Sequence, residues 1–144
     1  MNVLITLSSR SEQAIFPHVS DHFEFMKILV NAKNEHYSAM YAFCLMPDYC
    51  AIVAQFRRGE SVREFMRYMN RTYLDYLFIT YAARDVRLKN HIPVLLHDSD
   101  ELFNAIEKVE RQPVIAGIVM AEAEYPYSSA YYRSNSKYSL EKVY

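Results

Sequence analysis

Glycine is nearly missing from this chain, with two among 144 residues. No G-x-x-x-x-G-K or G-x-G-x-x-G pattern occurs, which excludes a glycine-rich phosphate cradle. Tryptophan is absent and cysteine occurs twice, at Cys44 and Cys50, too few to indicate a disulfide-stapled secreted scaffold. Both cysteines flank a predicted turn and are read as buried thiols. Charge of one sign is missing too. A formal net charge of −1 gives no global attraction to nucleic acid, so any DNA-binding surface must come from local clustering. No apolar run reaches the roughly 18 residues of a membrane span, and the N-terminus lacks a basic segment leading into an apolar one. The expectation is a soluble, cytoplasmic protein without membrane contact.

What is present is aromatic and apolar: 13 Tyr, 8 Phe and 51% hydrophobic residues, enough for one substantial core and one domain over residues 1–144. Alternation in Asn2–Ser8 predicts a strand. Ser20 is a candidate cap for a helix running to about His36. Tyr37–Leu45 and Cys50–Phe56 read as two strands joined at Met46-Pro47-Asp48-Tyr49. Ser61-Val62-Arg63-Glu64 has the form of a capping box opening a helix to about Tyr81. His91–His97 reads as a fourth strand, with Pro93 favouring an edge or a bulge. Asp98 or Ser99 can cap a further helix to about Arg111, which Pro113 ends. The order β-α-β-β-α-β predicts an α+β, ferredoxin-like antiparallel sheet with helices on one face, plus an extra C-terminal helix and tail.

Arg63, Arg67 and Arg71 recur every four residues and form one stripe along the predicted second helix, with Arg57 and Arg58 just before it. Planar guanidinium donors suit phosphate oxygens, so these five are candidate DNA-binding residues; the bland alternative is a solvated face. Val62, Met66, Met69 and Tyr73 share the apolar sector, and helical spacing alone makes Tyr73 a packing residue. Five scattered histidines give no zinc pattern, and H-E-x-x-H is absent. The tyrosines of the tail, from Tyr125 to Tyr138, could stack on bases, but packing of Tyr125 and Tyr127 over the sheet is the simpler reading.

Several segments, in order, carry a family resemblance. Thr6-Leu7-Ser8-Ser9-Arg10 is followed by Ile15-Phe16; Leu45-Met46-Pro47-Asp48-Tyr49-Cys50-Ala51-Ile52-Val53 comes next. Then follow Phe65–Tyr76, Gln112-Pro113-Val114-Ile115-Ala116-Gly117-Ile118-Val119 and Tyr125-Pro126-Tyr127-Ser128-Ser129. Together they resemble the HUH single-tyrosine transposases, in the REP-associated branch. In that family the second segment carries two histidines that hold a divalent metal. Here Tyr49 and Ala51 stand in their places, and neither is a good ligand. Glu110 and Gln112 stand where the family often has His and Asn, and Ala82–His91 lacks its Gly-rich loop.

The resemblance implies recognition of hairpin or single-stranded DNA. It assigns the nucleophile that forms a 5′-phosphotyrosine link to Tyr73, with Tyr76 as the lesser candidate. It also implies that Tyr49 and Ala51 face the same side of the sheet as Tyr73. A tyrosine whose pKa is near 10 needs help to attack a phosphodiester, and the metal that supplies it has lost both histidines. The expectation is therefore a transposase-like DNA-binding protein, catalytically degenerate and without cofactor, with a homodimer left open. One alternative is an active enzyme that takes Mg²⁺ or Mn²⁺ through Asp48, Glu110 or a residue of the tail. The other is a protein-interaction module reusing the fold.

Overall fold

The computed structural model describes residues 1–10, 14–83 and 86–135. Five strands make one antiparallel sheet: β1 (Asn2–Ser9), β2 (Ala39–Leu45), β3 (Tyr49–Gln55), β4 (Leu88–Asn90) and β5 (Val94–Leu96). Helix α1 (Val19–Asn31) links β1 to β2, and α2 (Gly59–Tyr81) links β3 to β4. Helices α3 (Ser99–Ile115) and α4 (Ser129–Ser134) follow β5. The sheet order is β2-β3-β1, with β4 and β5 together along the far edge of β1. The α+β ferredoxin-like sheet read from the sequence is thus present.

The expected fourth strand is broken in two. Leu7 pairs with Asn90 and Leu4 with Val94, so the partner spends one more residue than β1 over that interval. The break contains Pro93, which has no N–H to give to a ladder. Other boundaries also move. The cap of α1 is His18 rather than Ser20, and α2 opens at Gly59 with Arg58 as its cap, which leaves Ser61 inside the first turn. Asp98 does cap α3, accepting from the Glu101 backbone N–H at 2.8 Å. Pro113 does not stop that helix, which runs on to Ile115 before Gly117 turns the chain at φ 75°.

Two cores flank the sheet. Val3, Ile5 and Leu7 of β1 and Cys50, Ile52 and Ala54 of β3 pack under α1 and α2. Ala51 and Val53 of β3, with Ala42 and Cys44 of β2, pack under α3 with Ala105 and Val109. Strand β3 is therefore buried on both sides. Leu45 pairs with Cys50 and Cys44 with Ala51, so the two thiols point to opposite faces and both are free. The free edge of β2 is covered by the segment after Tyr125. Leu45 N–H donates to the Tyr127 carbonyl at 2.9 Å, and the buried Tyr125 hydroxyl donates to the Leu45 carbonyl at 2.6 Å. Covering that edge removes a template for pairing with other chains, and the tail's Tyr125 is a packing residue. Tyr138 lies outside the described residues. Among the described residues no helix is long and apolar enough to cross a membrane.

Asp21, fully buried in the first turn of α1, ties that helix to the end of α2. Its carboxylate accepts from Tyr76 Oη at 2.6 Å, from Tyr81 Oη at 2.7 Å and from the His18 backbone N–H at 2.8 Å. Replacing it by alanine strands three donors. Asp21→Ala should lower the unfolding free energy by roughly 2–5 kcal/mol in urea titrations; a loss below about 0.5 kcal/mol would show the cluster to be idle.

Burial also sets an alkaline limit. Desolvation first of all pushes Cys44 and Cys50 from 9.0 to about 12, and Tyr49 and Tyr76 from 10.0 to about 12. The unfolded chain releases these protons at the ordinary values while the native state holds them. Their contribution is complete below about pH 9 and is lost as the pH rises through about 12. Urea midpoints should fall between about pH 9 and about pH 11, less steeply in Tyr76→Phe; a flat profile would contradict the burial of these groups.

Candidate nucleic-acid interface

The buried stripe of α2 runs Val62, Phe65, Met66, Met69, Tyr73 and Leu77, the spacing of a single helix face. Tyr73 lies in the middle of it with no exposed surface. Its ring meets Phe25 edge-on at 5.1 Å between centroids and Phe16 at 5.7 Å, and its hydroxyl donates to the Ile15 carbonyl at 2.5 Å. Burial pushes its pKa well above the ordinary tyrosine value. Tyr76 is held neutral as a donor to Asp21. Neither phenol is exposed to a phosphodiester as a phenolate, the form that attacks.

The expectation that Tyr73 faces Tyr49 and Ala51 does not hold. Odd-numbered positions of β3 face α3, whereas Tyr73 lies in the core beneath α1 and α2, across the sheet. What Tyr49 and Ala51 do face is α3. They line a cavity of about 200 Å³ together with Thr6, Lys108 and Gln112. Tyr49 Oη donates to Gln112 Oε1 at 2.9 Å, and Gln112 Nε2 donates to the Lys108 carbonyl at 3.2 Å. Lys108 and Gln112 are one helical turn apart, a spacing that marks a shared face but does not say which face it is.

The donor set there does not suit a divalent cation. Ala51 offers nothing, Tyr49 is a neutral phenol engaged with Gln112, and the cavity's one charged side chain is a lysine. Glu110 is committed elsewhere. Arg133 donates two bonds to its carboxylate, at 2.7 and 2.8 Å, and Ser129 Oγ donates at 2.5 Å. Asp48 lines a neighbouring cleft with Ser8 and His91, whose Oγ and Nε2 are 2.8 Å apart. Among the described residues no group of three or more His, Cys, Asp or Glu is arranged to hold a metal. His22, four residues from His18, is stacked between Tyr127 at 3.9 Å and Phe16 at 4.6 Å, and burial lowers its pKa.

The arginines come together as the sequence spacing requires. Arg63, Arg67 and Arg71 are exposed on α2 and line a groove of about 680 Å³ that reaches across to Asn90 and Pro93 beside β4. None of the three has an ion-pair partner among the described residues. Arg57 and Arg58 are exposed just before Gly59 at the groove's end. Among the described residues Arg58 has only a 3.9 Å pairing with Glu60 in which both side chains are about three-quarters exposed, too solvated to neutralise it. Sequence reasoning missed two residues of the groove, Asn70 and Asn90, because their meeting depends on how β4 lies against α2.

No protein-family model matches the chain, and no curated protein matches it in sequence. Among solved structures it is similar to a REP-associated tyrosine transposase bound to a REP hairpin, with a TM-score of 0.70 and 11% identity. The match covers 96% of this chain and 82% of that one. At that identity the likeness establishes the architecture: the chain has the fold of that tyrosine transposase.

Proposed function

We propose that this chain is a transposase-like DNA-binding protein that holds hairpin or single-stranded DNA along the arginine groove of α2 and does not cleave it. The observation that carries this reading is the stripe of three exposed arginines lining one groove, without ion pairs among the described residues. Uncompensated guanidinium groups in a row are what a phosphate backbone requires. The fold shared with a hairpin-bound transposase supports the choice of DNA. The absence of cleavage follows from the chemistry of Tyr49, Ala51 and the sealed Tyr73.

Fluorescence anisotropy with a labelled hairpin and a labelled single strand, across a range of salt, tests the reading. Three to five phosphate contacts predict a log–log slope of roughly −2 to −4. Failure of both probes to bind at low salt would overturn it. Incubation with Mg²⁺ or Mn²⁺ should leave the hairpin intact, with no covalent adduct on denaturing gels. An adduct that maps to any tyrosine would establish the active enzyme instead.

A further inference from the structure

Along the α2 groove the arginines supply charge, but a pair of amides supplies something that charge does not. Asn90 shares its strand parity with the buried Leu88, which packs in the core beneath α2, so it points to the same side of the sheet. There Asn70 Nδ2 donates to Asn90 Oδ1 at 2.6 Å, and both residues line the groove between Arg67 and Arg71 on one side and Pro93 on the other. The pair is incomplete. Asn70 Oδ1 is buried without a hydrogen-bond partner, and the Asn90 amide nitrogen has none among the described residues. A buried acceptor left unmet is costly, and such atoms are uncommon in folded proteins.

We propose that Asn70 and Asn90 form a base-contacting element, taking the edge of one unpaired nucleobase while Arg63, Arg67 and Arg71 hold the phosphates of the same strand. The inference rests on the DNA-binding reading above. Four residues of helix advance about 6 Å, so the arginine stripe spans about 12 Å, comparable to three or so nucleotides at about 3.4 Å per step of one strand. The amides sit beside that path rather than at its end. Every unpaired base presents an adjacent donor and acceptor on its edge. Asn90 Nδ2 can donate to the base acceptor, and Asn70 Oδ1 can accept from the base N–H once the Asn70 amide turns toward the groove. A phosphate, which only accepts at neutral pH, cannot satisfy Asn70 Oδ1. A paired base in a duplex has its Watson–Crick edge occupied, so that edge is offered only by an unpaired base.

The test compares single strands carrying all their bases with abasic strands of the same length and charge, bound to the intact protein and to Asn70→Ala, Asn90→Ala and Asn90→Asp. The intact protein should prefer the base-bearing strand, and each variant should lose about fivefold or more of that preference, the two alanine variants with little change in affinity for the abasic strand. Asn90→Asp keeps an acceptor for Asn70 Nδ2 and so preserves the local packing. Its added charge weakens both strands alike, and the ratio still reports the base contact. Equal preference in the intact protein and all three variants would overturn the inference while leaving the groove itself intact. Loss of binding to both strands in the intact protein would instead remove the DNA-binding reading on which it rests.

Discussion

Replacing Arg63, Arg67 and Arg71 together by alanine should lower the affinity for hairpin or single-stranded DNA by about a hundredfold at low salt and flatten the salt slope by roughly 2–3. All three side chains are exposed and without ion pairs among the described residues, so the variant should fold with little change in stability. That separation makes the measurement decisive. The corresponding lysine variant keeps the charge but loses the bidentate geometry, and should retain most of the slope at reduced affinity. A slope unchanged by the alanine variant would show that the stripe is a solvated face and that DNA, if bound, lies elsewhere.

A second large effect is expected at Tyr73, and it separates a core residue from a reacting one. Tyr73→Ala removes a fully buried ring from among Phe16, Phe25 and Tyr76 and should cost about 3–5 kcal/mol of stability. Against a typical total of about 5–15 kcal/mol, many such molecules would unfold near physiological temperature. Tyr73→Phe keeps the ring and leaves only the Ile15 carbonyl without its donor, a loss of about 1–2 kcal/mol. DNA affinity of the folded Tyr73→Phe protein should match the original. Wild-type stability in Tyr73→Phe combined with a sharp loss of DNA binding would place the hydroxyl at the interface and refute its role in the core.

The elements and the architecture were legible in the sequence because they rest on local signals. The alternation of Asn2–Ser8, the Pro47-Asp48 turn and the apolar spacing of α2 each act over a few residues. The arginine stripe was legible for the same reason, since a spacing of four fixes one helix face. Sidedness across the sheet was not. A strand exposed on one face announces its orientation through alternating polar residues, but β3 reads Tyr-Cys-Ala-Ile-Val-Ala-Gln and is buried on both faces. Nothing in that run tells which parity meets α2 and which meets α3. The segment resemblance supplied an answer by analogy, one shared face, whereas the structure puts Tyr73 across the sheet from Tyr49 and Ala51. Pro113 misled in another way. Its ring costs α3 one internal hydrogen bond, yet the buried Val109, Glu110 and Pro113 hold the last turn in place. The Asn70–Asn90 contact joins residues 20 apart through the lie of a three-residue strand, and no local pattern encodes it.

The doubly buried β3 has a consequence for how such a chain can change over generations. Because Tyr49 and Ala51 contact α3 and the arginines stand on α2, the described residues that line the two cavities do not overlap, and the effects of substitutions in them should add independently. The sheet therefore behaves as a partition between two separately mutable compartments. Substitutions on the α3 side, where Tyr49 and Ala51 stand, can accumulate without disturbing the geometry that presents guanidinium groups on the other. A chain with this architecture can change on one face of the sheet and stay constant on the other, whereas a site assembled from both faces would change as a whole.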